Sequence, residues 1–95
     1  MSPPLKLEHP HPFTLEQASL LPFATLTAEI ARVQNSIVHL QRSQVVLREA
    51  LEGERDEVLE QAVEENERAI SAQEERIMLL HRAIEEKGGA GNGHY

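Results

Sequence analysis

Apolar residues recur every three or four positions over two long stretches of the chain. The first stretch passes through Leu26, Ile30, Val33, Ile37, Leu40, Gln44, Leu47 and Leu51. The second passes through Leu59, Val63, Asn66, Ile70, Gln73, Ile77, Leu80 and Ile84. Both alternate steps of four and three, the heptad spacing of helices that pack along one stripe. The sequence therefore predicts an all-α fold with two long helices, at about residues 22–52 and 57–87.

A single continuous rod is the alternative to a hairpin. Extending the first stripe beyond residue 51 would place four further residues on it: Glu54, Val58, Gln61 and Glu65. Three of these four are polar. A glycine inside a helix costs only about 1 kcal/mol, so Gly53 alone would not break a continuous helix. The stronger evidence for a turn is that the two apolar stripes are not in the same heptad register. We therefore predict an antiparallel two-helix coiled-coil hairpin with a turn at about 53–56. Gly53 would be the C′ residue of the first helix, and Asp56 would cap the second.

Two amides interrupt the stripes and suggest how the helices pair. In an antiparallel pair the numbers of facing residues have a constant sum, and a sum of 110 sets Gln44 opposite Asn66. We expect them to bond to each other as a register pair, because an unpartnered buried amide costs about 1–3 kcal/mol. The alternative is that both reach solvent. The same register sets Gln73 opposite Ile37, where it should reach solvent or meet another chain.

The segments that flank the hairpin have their own signals. Residues 1–13 hold four of the five prolines, which predicts an extended or disordered N-terminus. Thr14 and Gln17 have capping-box spacing, so we expect a short helix near residues 14–20. The glycine pair 88–89 should end the second helix, and residues 88–95 should form a flexible tail.

The predicted core is thin. The chain is 3% aromatic and has no Trp, and two helices bury only one stripe each. A second copy, a partner or the N-terminal segment must therefore add cover. Four apolar residues could fold over the open end of the hairpin: Leu15, Leu20, Leu21 and Phe23.

Composition argues against catalysis and against metal binding. The chain has no Cys, which excludes disulfides, cysteine-based zinc sites and a cysteine nucleophile. Its histidines do not combine with carboxylates at the repeated helical spacing of a di-metal bundle. No glycine-rich phosphate loop and no nucleophile constellation is visible. We expect no enzyme activity, no cofactor and no metal.

Charge narrows the choice of partner. The net charge is −7, and residues 53–95 carry 11 acidic against 5 basic groups. This balance opposes nucleic-acid and anionic-membrane binding and favours a basic protein surface. No apolar run approaches the ~20 residues of a membrane span. We expect a soluble protein of the cytoplasm, or of both cytoplasm and nucleus.

Valines outside the stripe form a candidate contact surface. Val38 and Val45 lie seven residues apart on the first helix, with Arg42 between them. Isolated surface valines are common, so an ordinary solvated face is one interpretation. A helix-in-groove contact or a dimer face is the other. Met78 and Leu79 suggest a smaller patch on the second helix.

The block NSI-x-HLQRS at residues 35–43 resembles the first helix of a translation-machinery-associated family of ATPase-dedicated proteasome assembly chaperones. The run 63–80, centred on Glu65, Asn66 and Glu67, resembles that family's second block. Together the two blocks cover about 40 of the 95 residues. Gln44 departs from the family pattern, which favours Asn there. The sequence also ends soon after the second helix, whereas relatives can carry long acidic tails.

The resemblance implies a non-enzymatic chaperone that binds a proteasomal ATPase subunit of the regulatory particle and promotes assembly of the ATPase ring. We hypothesise that Val38, His39, Arg42 and Val45 contact this subunit, because the block places its non-stripe residues there. The alternative is a self-associating structural coiled-coil adaptor, a homodimer through the same valines. A prefoldin-like subunit would also need β-strands, and no alternating segment predicts them.

Overall fold

Two long helices packed against each other dominate the structure, a computed structural model in which residues 4–89 are described. The helices are α1 (Leu15–Ser19), α2 (Phe23–Gly53) and α3 (Glu57–Gly89), and the described residues contain no strand. The molecule is a rod of 56 × 22 × 20 Å. The predicted all-α hairpin is confirmed, and the predicted helices end within two residues of the observed ones.

The short helix α1 begins as the sequence predicts. The Thr14 hydroxyl accepts from the N–H of Gln17 at 3.0 Å, and the Gln17 side chain accepts from the N–H of Thr14 at 2.8 Å. This reciprocal capping box satisfies two donors that would otherwise be left at the start of the helix. The chain then passes through extended Pro22 into α2.

The turn between α2 and α3 consists of residues 54–56. Asp56 Oδ1 accepts from the backbone N–H groups of Val58 at 2.8 Å and Leu59 at 3.2 Å, so Asp56 caps α3 as predicted. Gly53 behaves differently from the prediction, because it is the last residue of α2 and no described glycine has a positive φ. Extended Glu54 makes the exit from the helix instead.

The C-terminal glycine pair does not stop α3. Gly88 and Gly89 both belong to the helix, which corrects the prediction of a flexible segment from residue 88. The rest of that predicted tail, residues 90–95, lies outside the described residues, as do residues 1–3.

The seam between α2 and α3 is buried unevenly along the rod. Leu26 and Val33 on α2 and Leu80 on α3 are almost fully buried near the open end. Towards the turn, the seam residues Leu47, Leu51 and Leu59 remain only half-buried. The turn-proximal half of the hairpin therefore lacks a third layer.

The two seam amides are satisfied separately. Gln44 Nε2 donates to the backbone carbonyl of Val63 at 3.1 Å, and Asn66 Nδ2 donates to Ser43 Oγ at 3.2 Å. The predicted bond between Gln44 and Asn66 is therefore wrong. The Val63 carbonyl keeps a second lone pair after its helical hydrogen bond, so it can accept from Gln44. It is also held in place by the helix, whereas the Asn66 side chain would first have to be ordered. Both bonds still cross between the helices within one turn of the predicted register.

Unsatisfied polar atoms remain in the seam. The Oε1 atoms of Gln44 and Gln73 are buried and have no hydrogen-bond partner among residues 4–89. The Gln73 oxygen is not exposed to solvent and accepts no hydrogen bond from a described group, so the prediction that Gln73 reaches solvent does not hold for this atom. Such atoms carry a desolvation cost, so the seam sacrifices stability at these two positions.

Cover for the thin core comes from the N-terminal segment. At the open end, Ala18, Leu26, Leu79 and Leu80 form a buried cluster with two further residues, and Leu5, Phe13, Leu15 and Leu21 pack against it. The predicted cover by Leu15 and Leu21 is confirmed. It is wrong for Leu20 and Phe23, which are 84% and 60% exposed on either side of the bend at Pro22. Leu79 is buried here, so it forms no surface patch with Met78.

Replacing Gly53 with Ala should stabilise the hairpin. No atom lies within 4 Å of the position a Cβ would take. Because the backbone is helical, alanine restricts the unfolded chain without strain, and we expect a gain of about 0.4–1 kcal/mol. Urea denaturation followed by circular dichroism measures it. A loss of stability would show that Gly53 does need a left-handed backbone.

Gln44→Leu should also stabilise the fold. Leucine removes the unpartnered buried oxygen, and the Val63 carbonyl keeps its helical hydrogen bond. We expect a gain of roughly 1 kcal/mol, seen as a rise in Tm of about 4–8 °C. Gln41→Leu, at an exposed position one turn away, is the control and should change stability by less than about 0.5 kcal/mol. A lower Tm for Gln44→Leu would mean that the bond to Val63 outweighs the buried oxygen.

Candidate partner-binding surface

One carboxylate ties the N-terminal segment to α3. Residues 4–13, called the N-terminal strap below, contain no helix or strand and lie against α3. Glu75 accepts from the backbone N–H groups of Glu8 at 2.7 Å and His9 at 3.0 Å. It also contacts His11 Nε2 at 2.7 Å. These contacts hold the strap against α3, and the prediction of an extended or disordered N-terminus over residues 1–13 stays a prediction.

Both strap histidines serve this attachment. The His11 side chain is only 2% exposed, and its Nδ1 accepts from Arg76 Nε at 3.3 Å. A guanidinium only donates, so Nδ1 carries the lone pair and Nε2–H donates to Glu75. His9 Nε2 lies 3.0 Å from Ser71 Oγ. The sequence does not reveal these roles, because the residues are more than sixty positions apart and follow no period.

The hydrogen bonds change the acidity of Glu75. The backbone N–H of Glu8, together with His11 and the N–H of His9, lowers the pKa of Glu75 from 4.5 to about 2. A carboxyl whose pKa falls on folding stabilises the folded state above its unfolded pKa. That contribution is complete above pH 4.5 and is lost as the pH falls towards 2. The strap should therefore stay attached throughout the neutral range.

The turn-proximal half of the hairpin carries most of the candidate residues. Val38, Arg42 and Val45 follow one another at steps of four and three, so they share one exposed face of α2. Val38 is 41% and Val45 56% exposed. His39 is also exposed but lies about 100° further around the helix than Val38, on the outer face that carries Val46. The structure thus groups three of the four candidates and leaves His39 on the adjoining face.

A shallow groove runs between α2 and α3 beside this face. Its volume is about 370 Å³, and Gln44 and Ile70 are among its lining residues. The side of α2 contributes Gln41, Val45 and Arg48, and the side of α3 contributes Glu67, Ser71 and Glu74. Val45 therefore lines the groove directly.

The α3 side of the groove is absent from the sequence prediction. Its glutamates look like an ordinary solvated helix face, and only their steps of four and three beside the seam could have indicated otherwise. Arg48 Nη2 reaches Glu67 Oε2 at 2.9 Å, an exposed ion pair that joins the two sides. Two larger clefts, of about 610 and 600 Å³, flank α1 and contain none of the predicted contact residues.

These features define a helical-hairpin protein with an open groove on its surface. The model of the TMA17 helical domain matches residues 14–90, which span all three helices, and the chain belongs to this family. The N-terminal strap precedes the matched range. No curated protein and no solved structure matches the chain. None of the described helices is long and apolar enough to cross a membrane.

Glu75→Gln should loosen the strap without melting the helices. The amide keeps one acceptor oxygen and loses the charge that strengthens all three hydrogen bonds. In hydrogen exchange followed by mass spectrometry, we expect faster exchange at residues 8–9 and little change in α2. The wild-type strap should keep its protection at pH 4 and lose it as the pH approaches 2.

Glu74→Gln provides the matched control for this experiment. Glu74 is the neighbouring exposed glutamate and lies on the groove, where it makes none of the strap bonds. Its replacement should leave exchange at residues 8–9 unchanged. Equal protection in the Glu75→Gln variant and the wild type would show that apolar packing alone holds the strap.

Proposed function

We propose that this protein is a non-enzymatic chaperone that binds a proteasomal ATPase subunit of the regulatory particle and promotes assembly of the ATPase ring. Two findings support the proposal. The chain belongs to the TMA17 helical-domain family. Gln41 of the NSI-x-HLQRS block, whose resemblance suggests this role, also lines an open groove between α2 and α3.

The block combines two roles on one helix. Ile37 and Leu40 belong to the seam with α3, with Ile37 buried and Leu40 half-buried. Gln41 and Arg42 point away from the seam and are exposed. A helix that is fixed on one face and open on the other can hold a client helix side by side, as amphipathic helices bind in grooves. This is the single observation on which the proposed client surface depends.

The proposed role requires binding and release, with no chemical step. Of the described clefts, the one beside the candidate residues is a shallow groove on the surface of the rod. Reactions are favoured in enclosed pockets where a few polar groups converge and water is excluded. An open groove suits a protein partner.

A double substitution tests the client surface. Arg42→Glu combined with Val45→Asp places negative charge on the exposed face that Arg42 and Val45 share, and Val45 also lines the groove. Capture of the ATPase subunit from extract should therefore fall at least tenfold. Both residues are exposed, so the circular dichroism spectrum and Tm should stay close to the wild type. Capture at the wild-type level would reject this surface.

Arg55→Glu combined with Val46→Asp is the matched control. It changes the same residue types and the same total charge, at exposed positions that do not line the groove. Capture should be retained. If the control alone loses capture, the client binds the outer face that carries His39 and Val46 instead.

A self-associating coiled-coil adaptor is the second candidate. The half-buried turn-proximal seam and the exposed Val38 and Val45 favour it, because a second copy could cover them. Light scattering would then show a dimer that Arg42→Glu with Val45→Asp converts to a monomer, with no ATPase captured by the wild type. A monomeric wild type would reject this candidate.

A further inference from the structure

A second ladder of residues runs beside the seam on each long helix. On α2 it consists of exposed residues at steps of four and three, Gln34, Val38, Gln41, Val45 and Arg48. On α3 it consists of Glu60, Glu64, Glu67, Ser71 and Glu74, all exposed except the half-buried Glu60. The groove lies where the two ladders meet. The same heptad spacing that builds the seam is thus repeated on its open flank.

The two ladders differ in chemistry. The α2 ladder presents two valines, two uncharged amides and one arginine, so it offers apolar contact. The α3 ladder presents four glutamates and a serine, and it has no basic residue. Within the groove, Val45 and Ile70 offer apolar contact, and Glu67 and Glu74 favour positive charge.

The turn-proximal seam is also short of a third layer. At the open end the N-terminal segment buries Leu79 and Leu80 completely. Near the groove, Leu40, Leu47 and Ile70 stay half-buried, and Ile70 lines the groove. A third helix laid there would cover this half of the seam as the strap and α1 cover the other half.

We propose that the groove docks one amphipathic helix of the partner, whose apolar stripe packs on Val45 in the groove and on Val38 next to it along α2, and whose Lys and Arg residues lie along the glutamates of α3. Docking completes a three-helix coiled coil over the turn-proximal half. This inference rests on the proposed function only for the identity of the partner. What it adds is the chemistry of the partner segment that binds. An acidic helix is excluded by repulsion from the α3 ladder.

The ion pair already present does not close the groove. Arg48 and Glu67 are each more than half exposed, and an exposed pair contributes little to stability. A lysine of the partner can therefore compete with Arg48 for Glu67. Glu74 also lines the groove and is not paired with Arg48, so a second basic residue of the partner can contact it.

Two synthetic helical peptides test this inference. Each is about four heptads long with the same Leu/Val stripe, and they differ only in carrying Lys or Glu at the flanking positions. Fluorescence anisotropy with the full chain should show at least tenfold tighter binding of the Lys peptide at low salt. The ratio should shrink as salt is added, because exposed charges are screened.

Charge reversal locates the binding site. Glu67→Lys with Glu74→Lys should reverse the preference in favour of the Glu peptide. Glu54→Lys with Glu65→Lys changes the net charge equally at exposed positions that do not line the groove, so it should keep the Lys preference. A similar affinity of the wild type for both peptides would overturn the inference. Equal reversal by both variants would overturn it as well, since attraction would then follow net charge rather than the groove.

The peptide and capture experiments fail in different ways. If the chain captures the ATPase subunit but shows no Lys preference, the inference fails and the proposed function stands. If the Lys peptide binds in the groove but no ATPase subunit is captured, the proposed function fails and the chemistry of the groove stands.

Discussion

A two-helix hairpin can bury only one stripe of each helix, and the rest of this structure follows from that constraint. The seam of α2 and α3 supplies one layer of contacts, which is too little for complete burial of long aliphatic side chains. At the open end, the strap and α1 pack as a third layer over Leu79 and Leu80. Near the turn nothing in the described chain does so, and the groove lies there. The open end of the hairpin is covered by the strap and α1, whereas the groove near the turn stays uncovered by the described residues.

The hairpin could be predicted because it depends on the heptad spacing of apolar residues and on caps formed by residues close together in the sequence. The two stripes are out of phase across residues 51–59, and the caps at Thr14 and Asp56 depend only on neighbouring residues. The attachment of the strap could not be predicted, because Glu75 binds backbone groups of Glu8 and His9, which have no sequence signature. The amide pair failed for a related reason. Side-chain spacing identifies which residues are near one another, but a backbone carbonyl competed for Gln44.

The α2 part of the candidate surface could also be predicted, because it too follows from helical periodicity. Val38, Arg42 and Val45 stand out as exposed residues on a helix whose seam is known, so their common face follows from the 3.6-residue period. The acidic side of the groove required the packing of α2 on α3, because Glu67 and Glu74 become part of a groove only beside Gln41 and Val45. A glutamate row on an isolated helix has no such meaning.

The composition of the groove also bears on how strongly a partner could bind. Val38 and Val45 are already about half covered, so complete burial adds only roughly 1 kcal/mol from each. That is small against the cost of ordering two molecules. Contacts with the glutamates would then govern the rate of encounter and the salt dependence more than the final affinity. A docking surface of this kind favours an association that forms quickly and also reverses, which is the behaviour the proposed assembly chaperone needs if its client is to leave for the finished ring.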